Sequence, residues 1–175
     1  MVEAVRRRSA TLGQEFSMLE RLLLQTADDI SKCLKVLKKG LGKFDSRNLP
    51  GFHYRSTSKY CLKVDIRVVK EMVSELRQVA KRISRSKSPS QSEVNAARIS
   101  MNAAADALSD LNRAGQIYDE NRGLDRQEAK MGDGKTSKNA DTVETLVKST
   151  LRENFTGFRH LEKQISIVEK ALLPW

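Results

Sequence analysis

Apolar residues return every three or four positions along this chain, the rhythm of helices that each bury one face. Leu12, Phe16, Leu19, Leu23, Ile30 and Leu37 make the first stripe, and Ala27, Leu34 and Leu41 widen it by a column. That width suits a bundle better than a narrow two-stranded seam. The second stripe is the most regular: Leu62, Ile66, Val69, Val73, Leu76, Ala80 and Ile83 alternate steps of four and three without a break. The third runs Val94, Ala97, Met101, Ala104, Leu108, Leu111 and Tyr118, with Ala103, Ala105, Ala107 and Ala114 beside it. Val147, Leu151, Phe155, Phe158, Leu161, Ile165, Val168 and Leu172 make the fourth, which Pro174 ends.

Boundary residues punctuate these stripes. Thr11 followed by Gln14 reads as a capping box opening the first helix, and Gly40 and Gly42 read as its stop. Lys35, Lys38 and Lys39 sit near that end, where cations oppose the negative pole of the helix dipole. Ser90 with Glu93 forms a second capping box after a short turn through Ser88-Pro89, which makes the second and third helices an antiparallel hairpin. Asp141 with Glu144 opens the fourth. The expected layout is a basic tail over 1–10, helices over 11–39, 59–86, 90–120 and 141–172, a basic and aromatic loop over 40–58, and a flexible polar loop over 121–140. The pattern thus predicts an all-α chain of 175 residues in a single domain: an elongated antiparallel bundle of about four long helices with coiled-coil-like heptads.

Composition narrows the class. At 39% apolar and 31% charged, the chain is wetter than an average globular domain without being disordered in character. No apolar run approaches the roughly 20 residues that span a bilayer. Arg6, Arg7 and Arg8 have no apolar stretch behind them, which argues against a secretory signal, and Glu3 and Glu15 argue against a transit peptide. Cys33 and Cys61 make no disulfide framework, so the expected setting is intracellular, cytoplasmic or nuclear.

Locating the charge changes the picture more. The formal net charge is +10, and residues 32–87 hold 16 Lys+Arg against 4 Asp+Glu, so the whole excess lies in one third of the chain. Phe44, Phe52, Tyr54 and Tyr60 are interleaved there with cations. Stacking surfaces beside positive charge suit single-stranded nucleic acid, whereas the same aromatics could simply cap one end of a bundle. The candidate partner-binding surface is Lys43, Arg47, Arg55, Lys59, Lys63, Arg67, Lys70, Arg77, Lys81 and Arg82. An acidic partner would relieve its self-repulsion: nucleic acid, an acidic protein surface such as tubulin's tails, or an anionic membrane face.

Other chemistry is thin. Ala129-Lys130-Met131-Gly132-Asp133-Gly134-Lys135-Thr136 fits a loosened phosphate-loop pattern, but Arg126-Gln127-Glu128 before it is polar where a buried strand is required. His53 and His160, with Cys33 and Cys61, lack the paired spacing of a zinc site. No catalytic group, metal or cofactor is expected. Ser9 after three arginines, Ser84 after Lys81-Arg82-Ile83, and Ser88 before Pro89 stand in kinase-like contexts and are candidate phosphorylation sites.

These features point to a non-enzymatic structural or adaptor protein that works through protein–protein contacts with other helical proteins, as a subunit of a larger helical assembly, hetero-oligomers included. The alanine-rich third stripe buries little area per residue, so an outside surface is expected to complete the core. The alternative is a nucleic-acid-associated helical protein that binds phosphates through residues 32–87.

Overall fold

The computed structural model describes the backbone of residues 1–45, 53–133 and 143–173, and the side chains of 1–39, 60–118, 120 and 157–173. Its described elements are α1 (Val2–Asp45), α2 (His53–Arg85), α3 (Gln91–Asp133) and α4 (Val143–Leu172), with no strand among the described residues. The fold is all-α. Each helix packs on two others: α1 on α2 and α4, and α3 on α2 and α4.

The stripes explain this packing. Phe16, Leu19, Leu23, Ala27, Ile30, Leu34 and Leu37 of α1 are buried, as are all seven members of the α2 stripe. Val94, Ala97, Met101, Ala104, Leu108, Leu111 and Tyr118 of α3 join them, together with Leu161, Ile165 and Val168 of α4, in one continuous hydrophobic cluster. Most of these alanines are not waiting for an outside surface, although Ala105 is exposed and Ala103 only partly buried. Ala97, Ala104, Ala107 and Ala114 are already buried within the chain, because small side chains let the neighbouring helices come close.

Besides α2, which begins at His53 inside the stretch expected to be a loop over 40–58, helix ends depart from expectation at three places. The residues expected as a basic tail are helical from Val2, supported by a Val5 N–H bond to the Met1 carbonyl and an exposed Arg7–Glu3 pair at 2.9 Å, one helical turn apart. Thr11 is therefore no cap. Its hydroxyl donates to the Arg7 carbonyl at 2.9 Å, the back-bond of a threonine inside a helix. Gly40 and Gly42 do not stop α1 either, since it continues to Asp45. Glycine costs a helix about 1 kcal/mol yet keeps its N–H donor, so it weakens a helix without breaking it.

The third departure is in α3, which runs through Gly123 to Asp133, into the stretch expected to be a flexible loop. Polar residues there removed the apolar signal, but Leu124, Arg126, Gln127, Glu128, Ala129, Lys130 and Met131 all have good intrinsic helix propensity. Adding a residue to an existing helix is far cheaper than nucleating a new one. At the other end of α3 the second capping box forms. The Ser90 N–H and hydroxyl both donate to the Glu93 carboxylate, at 2.7 and 2.8 Å, and the Ser92 N–H donates to the Ser90 hydroxyl at 3.4 Å. The Ser90 N–H bond is the main influence holding the Glu93 carboxyl below the ordinary glutamate range. Burial opposes it, while the Ser90 hydroxyl, the Glu93 N–H and the Arg82 charge reinforce it.

Candidate functional site

The second helix orders the cations. Lys63, Arg67, Lys70, Ser74, Arg77 and Lys81 follow one another at steps of four and three, all exposed, on the flank of the buried stripe. The matching column on α1 is Leu24, Asp28, Ser31, Lys35 and Lys38, with the same steps. Contacts set these columns side by side. One guanidinium nitrogen of Arg77 donates to Asp28 at 2.9 Å and to the Ser31 hydroxyl at 3.1 Å.

Further along the same seam, charge is no longer balanced. The side chains of Lys38 and Lys70 come within hydrogen-bonding reach, and that contact is the main cause of a lowered Lys38 pKa, followed by burial and by the Lys70 charge. Two ammonium groups held close repel each other, which is the sense of that lowering. Lys35, Lys39, Lys63 and Arg67 flank this pair, and none of the six forms an ion pair with a described carboxylate.

Of the cations expected to form the partner surface, Lys63, Arg67, Lys70, Arg77 and Lys81 therefore share one face. Arg82 is exposed on the next column and acts on Glu93. Lys43, Arg47, Arg55 and Lys59 lie outside the residues whose side chains are described, as do Phe44, Phe52 and Tyr54; Tyr60 is 69% exposed. Lys35, Lys38 and Lys39 were expected to compensate the dipole at the end of α1, but α1 runs on to Asp45 and leaves them short of its last turn; their juxtaposition with α2 was not visible in the sequence. It needs the pairing of two helices and carries no local signal.

On its opposite flank α2 bears an acid. Asp65 is half-buried, and its pKa is raised first by burial and then by the charge of Asp110 on α3. The α4 seams are paired instead. Arg98 makes a two-pronged contact to Glu169, at 2.7 and 3.2 Å. The buried Gln164 amide donates to the Glu15 carbonyl at 3.0 Å and to its carboxylate at 2.6 Å. Arg8 reaches the Ala171 and Leu173 carbonyls at the end of α4.

The remaining candidates stay dispersed. Cys33 is buried and Cys61 exposed, neither of them in a disulfide, and His160 is exposed on α4. Among the described residues no group of three or more His, Cys, Asp or Glu is placed to hold a metal. The phosphate-loop-like stretch begins inside α3, helical through Asp133, and is preceded by helix rather than strand; Gly134, Lys135 and Thr136 lie outside the described residues. Ser9, Ser84 and Ser88 are all exposed, Ser88 in the turn between α2 and α3. Among the described residues no helix is long and apolar enough to cross a membrane.

Comparison of the chain with protein-family models, with curated proteins and with solved structures gave no match.

Proposed function

We propose that this chain is a non-enzymatic adaptor, a subunit of a larger helical assembly that acts through protein–protein contacts. The observation that carries the reading is a contrast. The described core is closed by the chain's own helices, while the α1/α2 seam presents Lys35, Lys38, Lys39, Lys63, Arg67 and Lys70 without described carboxylate partners. A self-repelling face on a finished core costs stability that an acidic partner would return.

The architecture behind this proposal is an elongated antiparallel bundle with coiled-coil-like heptads. Arg8 near the start of α1 meets the end of α4, whereas Glu15 meets the earlier Gln164. Asp28 meets Arg77, whereas the later Lys38 meets the earlier Lys70. Both trends support neighbours running in opposite directions. The burial of Leu62, Ile66, Val69, Val73, Leu76, Ala80 and Ile83 supports the heptads. Ser84 and Ser88, exposed beside Arg85 and Lys87, are where phosphate would offset positive charge at the end of α2.

The test is affinity capture with the full chain at low and moderate salt, with and without nuclease. Stoichiometric recovery of one or a few proteins under all four conditions is the expected result. Recovery that collapses with nuclease overturns the adaptor reading in favour of nucleic acid.

A further inference from the structure

The α1/α2 seam has more structure than a basic patch. Its two columns meet in a defined register, with Arg77 on Asp28 and Ser31, and Lys70 on Lys38. Read along α1, the column begins with Leu24, which is 39% exposed, passes the neutralised Asp28 and the hydroxyl of Ser31, and ends in Lys35 and Lys38. From Leu24 to Lys38 is about 21 Å at 1.5 Å per residue, or four turns of helix. On the α2 side Lys63, Arg67 and Lys70 recur at the same steps of four and three, about 5 Å apart along the axis, and Ser74 separates them from Arg77.

We infer that this seam is the docking surface for an acidic amphipathic helix of a protein partner, its carboxylates spaced three and four residues apart over the lysine end and an aliphatic side chain over Leu24. Three observations select that occupant. Helix-borne carboxylates at i, i+3, i+4 and i+7 repeat at the spacing of the cations they face, as charged flanks of packed helices do. The exposed leucine in the same column offers contact to an aliphatic group, which a phosphate backbone lacks. The lysine end makes no ion pair with a described carboxylate, so an incoming carboxylate placed between Lys38 and Lys70 replaces a repulsive contact with two attractive ones. The inference rests on the adaptor reading and names the partner's chemistry.

The probe is a fluorescein-labelled helical peptide of about 21 residues, the length of six turns. It carries glutamates at three- and four-residue spacing on one face and a leucine at one end. Anisotropy titration compares it with a scrambled peptide of identical composition and with a single-stranded oligonucleotide of equal charge. The patterned peptide is expected to bind at least about tenfold more tightly than either. Replacing Lys35, Lys38 and Lys70 together by Gln lowers its affinity about tenfold or more, since three charge contacts are lost. The Lys38→Arg/Lys70→Arg pair keeps the charge and retains binding, and Lys163→Gln on exposed α4 changes nothing. These substitutions are at exposed helical positions, and matching helical circular dichroism verifies the fold.

Equal binding of the scrambled peptide, tighter binding of the oligonucleotide, absence of peptide binding, or an unaltered affinity in the triple-Gln variant each overturns the inference. Capture with the triple-Gln chain separates the two levels. Stoichiometric proteins recovered equally by both chains leave the adaptor reading standing and remove the seam. Failure of the unmodified chain to recover any protein removes the adaptor reading itself.

Discussion

The two seams made by α1 follow opposite rules. Against α4, its polar groups find complementary partners: Arg8 meets backbone carbonyls at the end of α4, and Glu15 receives both hydrogens of the buried Gln164 amide. Against α2, complementarity among the described residues holds at Asp28 and Ser31, and then gives way to Lys38 against Lys70. The hydrophobic layers beneath are equally well buried, with Leu19 and Leu161 as inaccessible as Leu37 and Leu62. The difference is therefore electrostatic rather than a matter of packing. It separates contacts in which unlike groups meet from contacts in which like charges face each other.

The core contributes the largest effects on both sides. Leu161→Ala in α4 and Leu62→Ala in α2 each remove a fully buried side chain, and each should lower unfolding free energy by about 2–5 kcal/mol in urea titrations. A much smaller loss at Leu161 than at Leu62 would mean that α4 is the looser wall.

Polar closure comes next. A double-mutant cycle on Arg98 and Glu169, each changed to Ala, should return a coupling of about 1 kcal/mol, because the contact is two-pronged but about a third exposed. Coupling near zero would place the α3/α4 seam on the same footing as any solvated pair.

The capping box is of similar size and adds a pH signature. Ser90→Ala should cost about 1 kcal/mol. Glu93 has a folded pKa below its unfolded value, so its contribution is full above the ordinary glutamate range and is lost as pH falls through the folded value. A urea series at decreasing pH should show that loss in the native chain and not in Glu93→Gln.

Gly13→Ala should stabilise by about 0.5–1 kcal/mol, since the added methyl meets nothing within 4 Å and the helix gains propensity. At Gly157 the new methyl would sit 3.6 Å from the Thr26 hydroxyl, an ordinary contact, so the same change in α4 should also be tolerated. Thermal melts of the two variants compare an open helix face with a seam.

The smallest effect is on the basic side. Lys38→Gln should raise stability by a few tenths of a kcal/mol at low salt, as expected for removing a like-charge contact, and the gain should shrink as salt screens it. In the native chain the lowered Lys38 pKa means that the repulsive cost is present at neutral pH and is relieved as pH rises through the folded value. A destabilising Lys38→Gln would show that the aliphatic stem outweighs the charge.

Much of this was legible in the residues. The described parts of the four stripes (Leu41, Val147, Leu151 and Phe155 lie outside the described side chains), the capping box at Ser90 and Glu93 and the location of the excess charge follow from periodicity and counting, because a helix repeats its face every three or four residues whatever it packs against. Helix ends were less legible. Thr11 with Gln14, Gly40 with Gly42, and Gly123 are genuine local stop or start signals, each worth about 1 kcal/mol, and continuing an existing helix outweighs them. The role of the alanines in α3 was misread for a related reason: how much a small residue buries depends on how near its neighbour comes, which no stripe records.

The sequence alone determined an all-α chain, the faces of its helices that turn inward and the segment that holds its positive charge. Only the tertiary structure decided which charges meet. Lys38 and Lys70 are 32 positions apart in the chain, and so are read as two separate solvated lysines until α1 and α2 lie side by side. Hydrophobic burial depends on the pattern within each helix and is written locally. Electrostatic energy depends on distance between helices, and only the packed arrangement supplies it.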